Sequence, residues 1–310
     1  MNLDEHIPKI SIGFPIYNEE EFAKRRLDSI LSQTFTDFEL IIVDNASTDS
    51  TPEICQEYAK KDKRIKYFRT EKNMGIPWAY EEVIVKSKGK YFIWVAADDI
   101  FSSDFLERNF IILENDKKIV LSTSKVEWCG PGSNIRNEWK IKHTDAILKK
   151  MYKKIRQHFQ PFGTYSIEGT QEERIRKQLR KSSNQPMYGI CRTKELRRSW
   201  EERDETIWDF SVIVNLARYG NIHVIDEVLM YIYTEGISAK TVFELRHAEN
   251  MKWLEIFFPR LRFTVWFYRQ YGRKLFLKNL DYFIWTNLKG PLGFFIGIIK
   301  LLKKQILNKD

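Results

Sequence analysis

Short apolar runs alternate with helix-spaced patterns through the first 125 residues, and that rhythm leaves a chain little choice but helices layered on a sheet. Ile10 to Phe14 is an apolar run ending at Pro15. Glu19 to Gln33 follows, with Phe22, Leu27, Ile30 and Leu31 at helical spacing. FELIIV at 38 to 43, Ile65 to Phe68, YFIWVA at 91 to 96 and the pair Val120 and Leu121 predict further strands. Thr51 to Lys61, Ala79 to Lys86 and Phe105 to Glu114 predict the helices between them. The expected fold class is α/β, a mostly parallel sheet with helices on both faces. Such sheets bind ligands beyond the carboxyl ends of their strands. The residues there are polar: Tyr17, Asn18 and Glu19 after strand one, Asp44, Asn45, Ser47 and Asp49 after strand two, Asp98 and Asp99 after strand four.

Composition narrows the function classes. With 43% hydrophobic and 14% aromatic residues over 310, disorder is excluded as the main state. Cys55, Cys129 and Cys191 form no CxxC pair, which argues against a disulfide scaffold or a zinc ribbon. The histidines (His6, His143, His158, His223, His247) show neither HxxH nor HExxH spacing, and no GxGxxG follows Gly13. The opening MNLDEHIPKI has no apolar run of the signal-peptide kind, so the expected setting is reducing and cytoplasmic.

Beyond residue 125 the pattern loosens. A Gly/Pro turn at 130 to 132, a charged helix near Glu172 to Lys181, MYGICR at 187 to 192, an apolar helix around Ile207 to Ala217 and a hairpin-like IHVIDEVLMYIYT fill 126–240, and the basic cluster Arg174 to Lys181 reads as a solvated helix face. Residues 241–310 differ again, with 13 Lys+Arg against 5 Asp+Glu, a net of +8 out of +9 for the chain, and 15 of its 44 aromatics. The apolar run Leu292 to Ile299 is far short of the roughly 20 residues that span a bilayer. The tail therefore reads as helices packed on the body, as amphipathic helices lying in a membrane interface, or as a binder of single-stranded nucleic acid.

SIGFPIYNEE, IIVDNASTDST at 41 to 51, Asn73 with Gly75, WVAADD at 94 to 99, MYGICR and TIWDFSVIVNLARYG at 206 to 220 stand in order over residues 9 to 238. Together they resemble the family-two glycosyltransferases of the type A (GT-A) fold. The resemblance implies a nucleotide-sugar-binding half at 1–125 and an acceptor-binding half at 126–240, with 241–310 as a basic, aromatic-rich helical tail. It implies that Pro15, Tyr17, Asn18 and Glu19 line the nucleotide, and that Asp44 accepts the imide N–H of uracil, favouring a UDP-linked donor. By the same analogy Asn73 and Gly75 bring backbone close to the donor. Of the acidic pair, Asp98 reaches the ribose or the metal, and Asp99 ligates a divalent cation, Mn2+ or Mg2+. Hard cations of this kind suit carboxylates and the oxygens of a leaving diphosphate. Read alone, such a pair is often a turn and helix cap.

The family's catalytic base, a carboxylate that takes the acceptor proton, maps to Asp209, with Glu205 and Asp204 as near rivals. Three positions depart from the pattern: Ala96 replaces an Asp, Trp208 a Glu, and Thr234 a His. The implied activity is inverting, metal-dependent transfer to a hydroxyl of a glycan or lipid-linked saccharide at the cytoplasmic face of a membrane, with no nucleic acid involved. The alternative, favoured by the three departures, is a degenerate, non-catalytic module that binds saccharide or membrane and scaffolds other enzymes.

Overall fold

The computed structural model describes residues 6–96, 99–129, 150, 164–181, 185–233, 258 and 260–288. Asp98 and Thr234 lie outside them, as does most of the 241–310 tail. The chain divides into two compact units, Met1–Arg203 with Trp208–Ala239, and Asp204–Ile207 with Lys240–Asp310.

The first unit opens with β1 (Ile10–Ile16), α1 (Glu20–Leu31), β2 (Phe38–Asp44), α2 (Thr51–Lys61), β3 (Ile65–Arg69), α3 (Ile76–Lys86) and β4 (Tyr91–Trp94). After these come β5 (Asp99–Phe101), α4 (Phe105–Asn115), β6 (Ile119–Cys129), α5 (Gln171–Lys181), a 3-10 turn (Gln185–Tyr188), β7 (Ile190–Arg192), α6 (Thr193–Glu201), α7 (Trp208–Tyr219) and β8 (Asn221–Tyr233). Among the described residues the strands form one eight-stranded sheet in the order β3-β2-β1-β4-β7-β6-β8-β5. β3, β2, β1 and β4 run parallel, and β6 runs parallel to β8. β7 pairs antiparallel with β4 and β6, and β5 antiparallel with β8. β7 and β8 thus extend the same sheet past residue 125.

Continuous burial of the β1 and β2 side chains follows from helices on both faces. Alternate residues divide accordingly. Ile10, Ile12, Phe14, Leu40 and Ile42 pack with Ala23, Leu27 and Ile30 of α1 and Cys55 of α2. Ile41, Val43, Phe92 and Trp94 pack with Val83 of α3, Leu196 and Trp200 of α6, and Val212, Ile213 and Leu216 of α7. Gly13 permits the close seating of α3, since a Cβ there would lie 2.7 Å from Val83 and 2.6 Å from the Phe92 ring.

Two local expectations change. The stretch IHVIDEVLMYIY at 222–233 is no hairpin but lies in the single strand β8. Its acidic pair forms a bulge: the register against β6 passes from Ser124↔Ile225 to Lys125↔Val228, which leaves Asp226 and Glu227 looped outward. Asp226 pairs with Lys125, and Glu227 accepts two bonds from Arg108 at 2.8 and 2.7 Å. The charged helix α5 is not a freely solvated face either. Arg174 donates to the carbonyls of Ala217 (2.8 Å) and Arg218 (3.1 Å), closing the carboxyl end of α7.

The second unit is a helical hairpin over its described residues. α8 (Leu261–Leu277) bends at Gly272, whose φ of 76° is non-helical, and a further helical run covers 280–288. The run folds back so that Phe283 meets Phe267 at 4.9 Å and Asn287 donates to the Thr264 hydroxyl at 2.9 Å. No helix among the described residues is long and apolar enough to cross a membrane.

Candidate active site

β1 and β4 part company where the chain turns from one half of the sheet to the other. Their pairing ends at Gly13 with Trp94, and the last bond runs from Val95 N–H to the Gly13 carbonyl at 2.9 Å. The next residue of β1 on that side is Pro15, which has no N–H to leave unsatisfied. A crevice therefore opens beyond the carboxyl ends of these strands, at a reversal of strand order. It is a cleft of about 300 Å³, lined by Pro15, Tyr17 and Glu19 on one side, Asn45, Ile76 and Tyr80 on another, and Ala96, Tyr188, Trp208 and Asp209 beyond.

The loops after β1 and β2 are knitted together by reciprocal bonds. Asn18, held at φ 53°, accepts the Thr48 N–H at 2.8 Å, while its own N–H donates to the Ser47 hydroxyl at 3.0 Å. Glu19 N–H donates to the Thr51 hydroxyl at 2.9 Å, Glu20 N–H to Asp49 at 3.2 Å, and Ser50 N–H to Glu20 at 2.9 Å. Burial alone would raise the Asp49 carboxyl, but hydrogen bonds from Thr51 and the Glu20 N–H outweigh it and hold the group below its ordinary value. Most of the polar residues in NEE and STDST thus tie the two loops together, and of them Glu19 stands in the rim of the cleft.

Asp44 lies beneath that rim, fully buried. It accepts Ser47 N–H at 2.8 Å and the Tyr67 hydroxyl at 2.6 Å, with Arg69 Nε at 3.5 Å. Burial and the bond to Asp44 both push the Tyr67 hydroxyl up. Asn73 acts through Asn45: it accepts from Asn45 at 3.0 Å and from Gly75 N–H at 2.8 Å, and Asn45 accepts Met74 N–H at 2.8 Å. Gly75 sits at φ 90° and ψ 160°, a conformation nearly reserved for glycine, and turns the chain into α3 so that Ile76, Ala79 and Tyr80 face the cleft.

Asp99 starts β5 and is 2% exposed. Its carboxylate lies 4.0 Å from Arg26, a fully buried arginine of α1 that also donates to the Ala96 carbonyl at 2.6 Å and stacks over Phe101. Among the described residues no group of three His, Cys, Asp or Glu gathers as a metal cage. Hard cations take carboxylate, phosphate and water oxygens, and of the acidic pair Asp99 is the carboxylate that the described residues offer.

Asp209 stands in the first turn of α7, facing the cleft, and accepts the Phe210 N–H at 2.7 Å. Of its rivals, Asp204 accepts from the N–H groups of Thr206 and Ile207, both at 3.0 Å, and from the Thr206 hydroxyl, a turn-forming role; Glu205 is exposed. Trp208 is fixed by Tyr80 at 4.8 Å and Trp200 at 5.4 Å between ring centroids. Tyr188 hydrogen-bonds Tyr80, and its hydroxyl is held well above its ordinary value by Tyr80, by burial, and by the charges of Asp99 and Asp209.

The cleft thus collects Pro15, Tyr17, Glu19 and Asp209 from the sequence-derived set. Asn18, Asp44, Asn73, Gly75 and Asp99 lie around it without lining it. Asn45, named among the polar residues at the strand ends, and Met187 and Tyr188 of MYGICR also line it without having been given a role, and Ile76 and Tyr80 line it without having been singled out. The spacing of Ile76, Ala79 and Tyr80 along one helical face was the available signal.

A profile described as glycosyl transferase family 2 matches residues 11–177. An uncharacterized glycosyltransferase of Methanocaldococcus jannaschii is 35% identical over 154 residues, 49% of this chain and 51% of the relative. The putative teichuronic acid biosynthesis glycosyltransferase TuaG of Bacillus subtilis is 35% identical over 101 residues, 33% of this chain and 40% of TuaG. The matches thus span about half or less of these relatives. Among solved structures, the mannosyltransferase PcManGT from Pyrobaculum calidifontis, in complex with GDP-Man and Mn2+, superposes with a TM-score of 0.54 at 15% identity, covering 93% of this chain and 72% of that one. S. aureus TarS in complex with UDP-GlcNAc gives 0.51 at 20% identity, covering 76% and 62%. The sheet with its flanking helices is the fold these structures share.

Proposed function

The chain belongs to glycosyl transferase family 2, and on that footing we propose that it moves a sugar from a nucleotide sugar, with UDP as carrier, to a hydroxyl of a glycan or lipid-linked saccharide, with inversion. The observation that carries this reading is the meeting, in one cleft at the ends of β1 and β4, of the Pro15, Tyr17 and Glu19 rim with the carboxylate of Asp209. Tyr17 offers a ring, 41% exposed, against which a nucleobase stacks. Asp44 selects uracil by accepting its imide N–H, which requires the Tyr67 hydroxyl to release one carboxylate oxygen. Asn73 and Gly75 hold the donor-side backbone through Asn45. Asp98 reaches the ribose or the metal.

Asp99 is the proposed protein ligand of Mn2+ or Mg2+; when bound, the cation neutralises charge on the departing diphosphate. Asp209 takes the proton of the acceptor hydroxyl as its oxygen attacks the anomeric carbon on the face opposite the nucleotide. The related structures hold UDP-GlcNAc in one case and GDP-Man with Mn2+ in the other, which supports a sugar-nucleotide donor and leaves the base to experiment. We place the enzyme at the cytoplasmic face of a membrane in polysaccharide biosynthesis, its basic tail against the lipid surface.

The second reading, a non-catalytic saccharide-binding module, draws on Ala96 and Trp208 in the cleft wall. Nucleotide release from a panel of UDP- and GDP-sugars, with manganese, magnesium or chelator, decides between them. The expected outcome is cation-dependent release from a UDP-sugar that Asp209→Asn abolishes; binding without release from any donor favours the module.

A further inference from the structure

The hairpin of α8 and residues 280–288 is apolar on two opposite sides, where a helix facing water is polar on one. Inward, Phe263 and Phe267 are 1% and 0% exposed and meet Phe283. Outward on the same helix, Leu261, Val265 and Tyr268 follow at spacings of four and three and are 41%, 41% and 48% exposed. The 280–288 run repeats the arrangement: Tyr282, Phe283 and Thr286 are buried, while Leu280, Ile284 and Leu288, at successive fourth positions, are 39%, 51% and 48% exposed.

Cations border these ridges. Between 258 and 288 the chain carries Arg260, Arg262, Arg269, Arg273, Lys274 and Lys278 against the single acid Asp281. Arg262, Arg269, Arg273 and Lys274 are exposed. Aliphatic side chains of this size gain nothing from a nucleic-acid backbone, and a protein partner gives no reason for so one-sided a charge. A surface whose outer layer is anionic and whose next layer is hydrocarbon matches both features.

We propose that the outward ridge Leu261–Val265–Tyr268 of α8 enters the headgroup boundary of an anionic bilayer, with the neighbouring Arg side chains of that helix on lipid phosphates. Over the described residues neither helix is long and apolar enough to cross a bilayer, so the proposed placement is in the interface. This rests on the membrane placement proposed above and names its face and lipid charge; it is independent of the transfer chemistry.

The test is co-flotation of the full chain with phosphatidylcholine vesicles, with and without phosphatidylglycerol, at low and high salt. Nucleotide release and thermal unfolding are measured on the same preparations. Wild type is expected to float with the anionic vesicles, weakly with neutral ones, and to be released by salt. Leu261→Ser with Val265→Ser and Tyr268→Ser is expected to lower partitioning at least tenfold with unchanged melting and turnover. Arg269→Glu with Arg273→Glu, which leaves the apolar ridges intact and guards against a folding defect in the first variant, should lower it roughly fivefold or more per cation replaced. Ridge variants that float like wild type overturn the assignment of this face while leaving membrane placement standing. Equal binding to neutral vesicles, or self-association through the ridges with no flotation, overturns the lipid proposal altogether. A wild type that floats but releases no nucleotide counts against the proposed transfer activity alone.

Discussion

Asp209 owes its place to the helix it opens. The first turn of α7 aims the carboxylate at the cleft while Phe210 N–H fixes one of its oxygens, so its replacement by Asn keeps the shape and removes the proton acceptor. Asp209→Asn is expected to lower turnover by roughly 10²- to 10⁴-fold with unchanged melting temperature and nucleotide affinity, whereas Glu205→Gln is expected to leave steady-state rates alone. Asp209 was legible because a motif pointed to it. Arg26 was not, although it sits on the apolar stripe of α1 between Phe22 and Ile30, where a charge has no place without a buried partner. That partner is Asp99, and Arg26→Met removes the buried cation that stands 4.0 Å from its carboxylate. Unfolding in urea is expected to show a loss of about 3–5 kcal/mol, partly restored by adding Asp99→Asn.

At the scale of elements, the sequence predicted what periodicity encodes and missed what depends on a partner strand. The span of α2 was read to the residue, and the structure shows what bounds it: a Pro in its first turn and two lysines in its last. β8 was misread because Asp226 and Glu227 look like a turn, whereas the ladder to β6 resumes on both sides of the bulge that carries them. The entry to α3 depends on Gly75 alone. A Cβ there meets nothing within 4 Å, so Gly75→Ala costs backbone strain only, about 1–3 kcal/mol. Thermal melts should register that cost, and the donor KM is expected to rise as Ile76 and Asn45 shift in the cleft wall. β2 is tied to its neighbours through Glu39, which accepts from Ser11 at 2.6 Å, Lys66 at 2.6 Å and Lys88 N–H at 2.7 Å. Burial raises this carboxyl, but the three bonds outweigh it and its folded value lies below the ordinary 4.5. A depressed carboxyl contributes stability that is complete above the unfolded value and is lost as pH falls through the folded one. Glu39→Gln is therefore expected to be less stable than wild type at neutral pH, with the difference closing as the pH drops below 4.5.

For the molecule as a whole, parallel β3-β2-β1-β4 was readable from apolar runs, while the antiparallel β7 and the edge strand β5 were not, because three residues are too few to show a period. Those two short strands matter for the site. β7 joins β4 to β6 and so carries the Met187–Tyr188 turn to the cleft, and β5 brings Asp99 under Arg26. The donor side of the cleft is thereby assembled by one half of the sheet and the Asp209 side by the other. A cation held as proposed by Asp99, a carboxylate already faced by Arg26 at 4.0 Å, has little to hold it until a diphosphate arrives. Manganese alone is expected to leave the melting temperature unchanged, UDP alone to raise it modestly, and the two together to raise it by more than the sum of their separate effects. Linkage requires manganese to improve UDP affinity by the same factor as UDP improves manganese affinity, which titration calorimetry measures in both orders. A full shift from manganese without nucleotide means that the protein supplies the whole coordination shell, and Asp99 then cannot be its principal ligand.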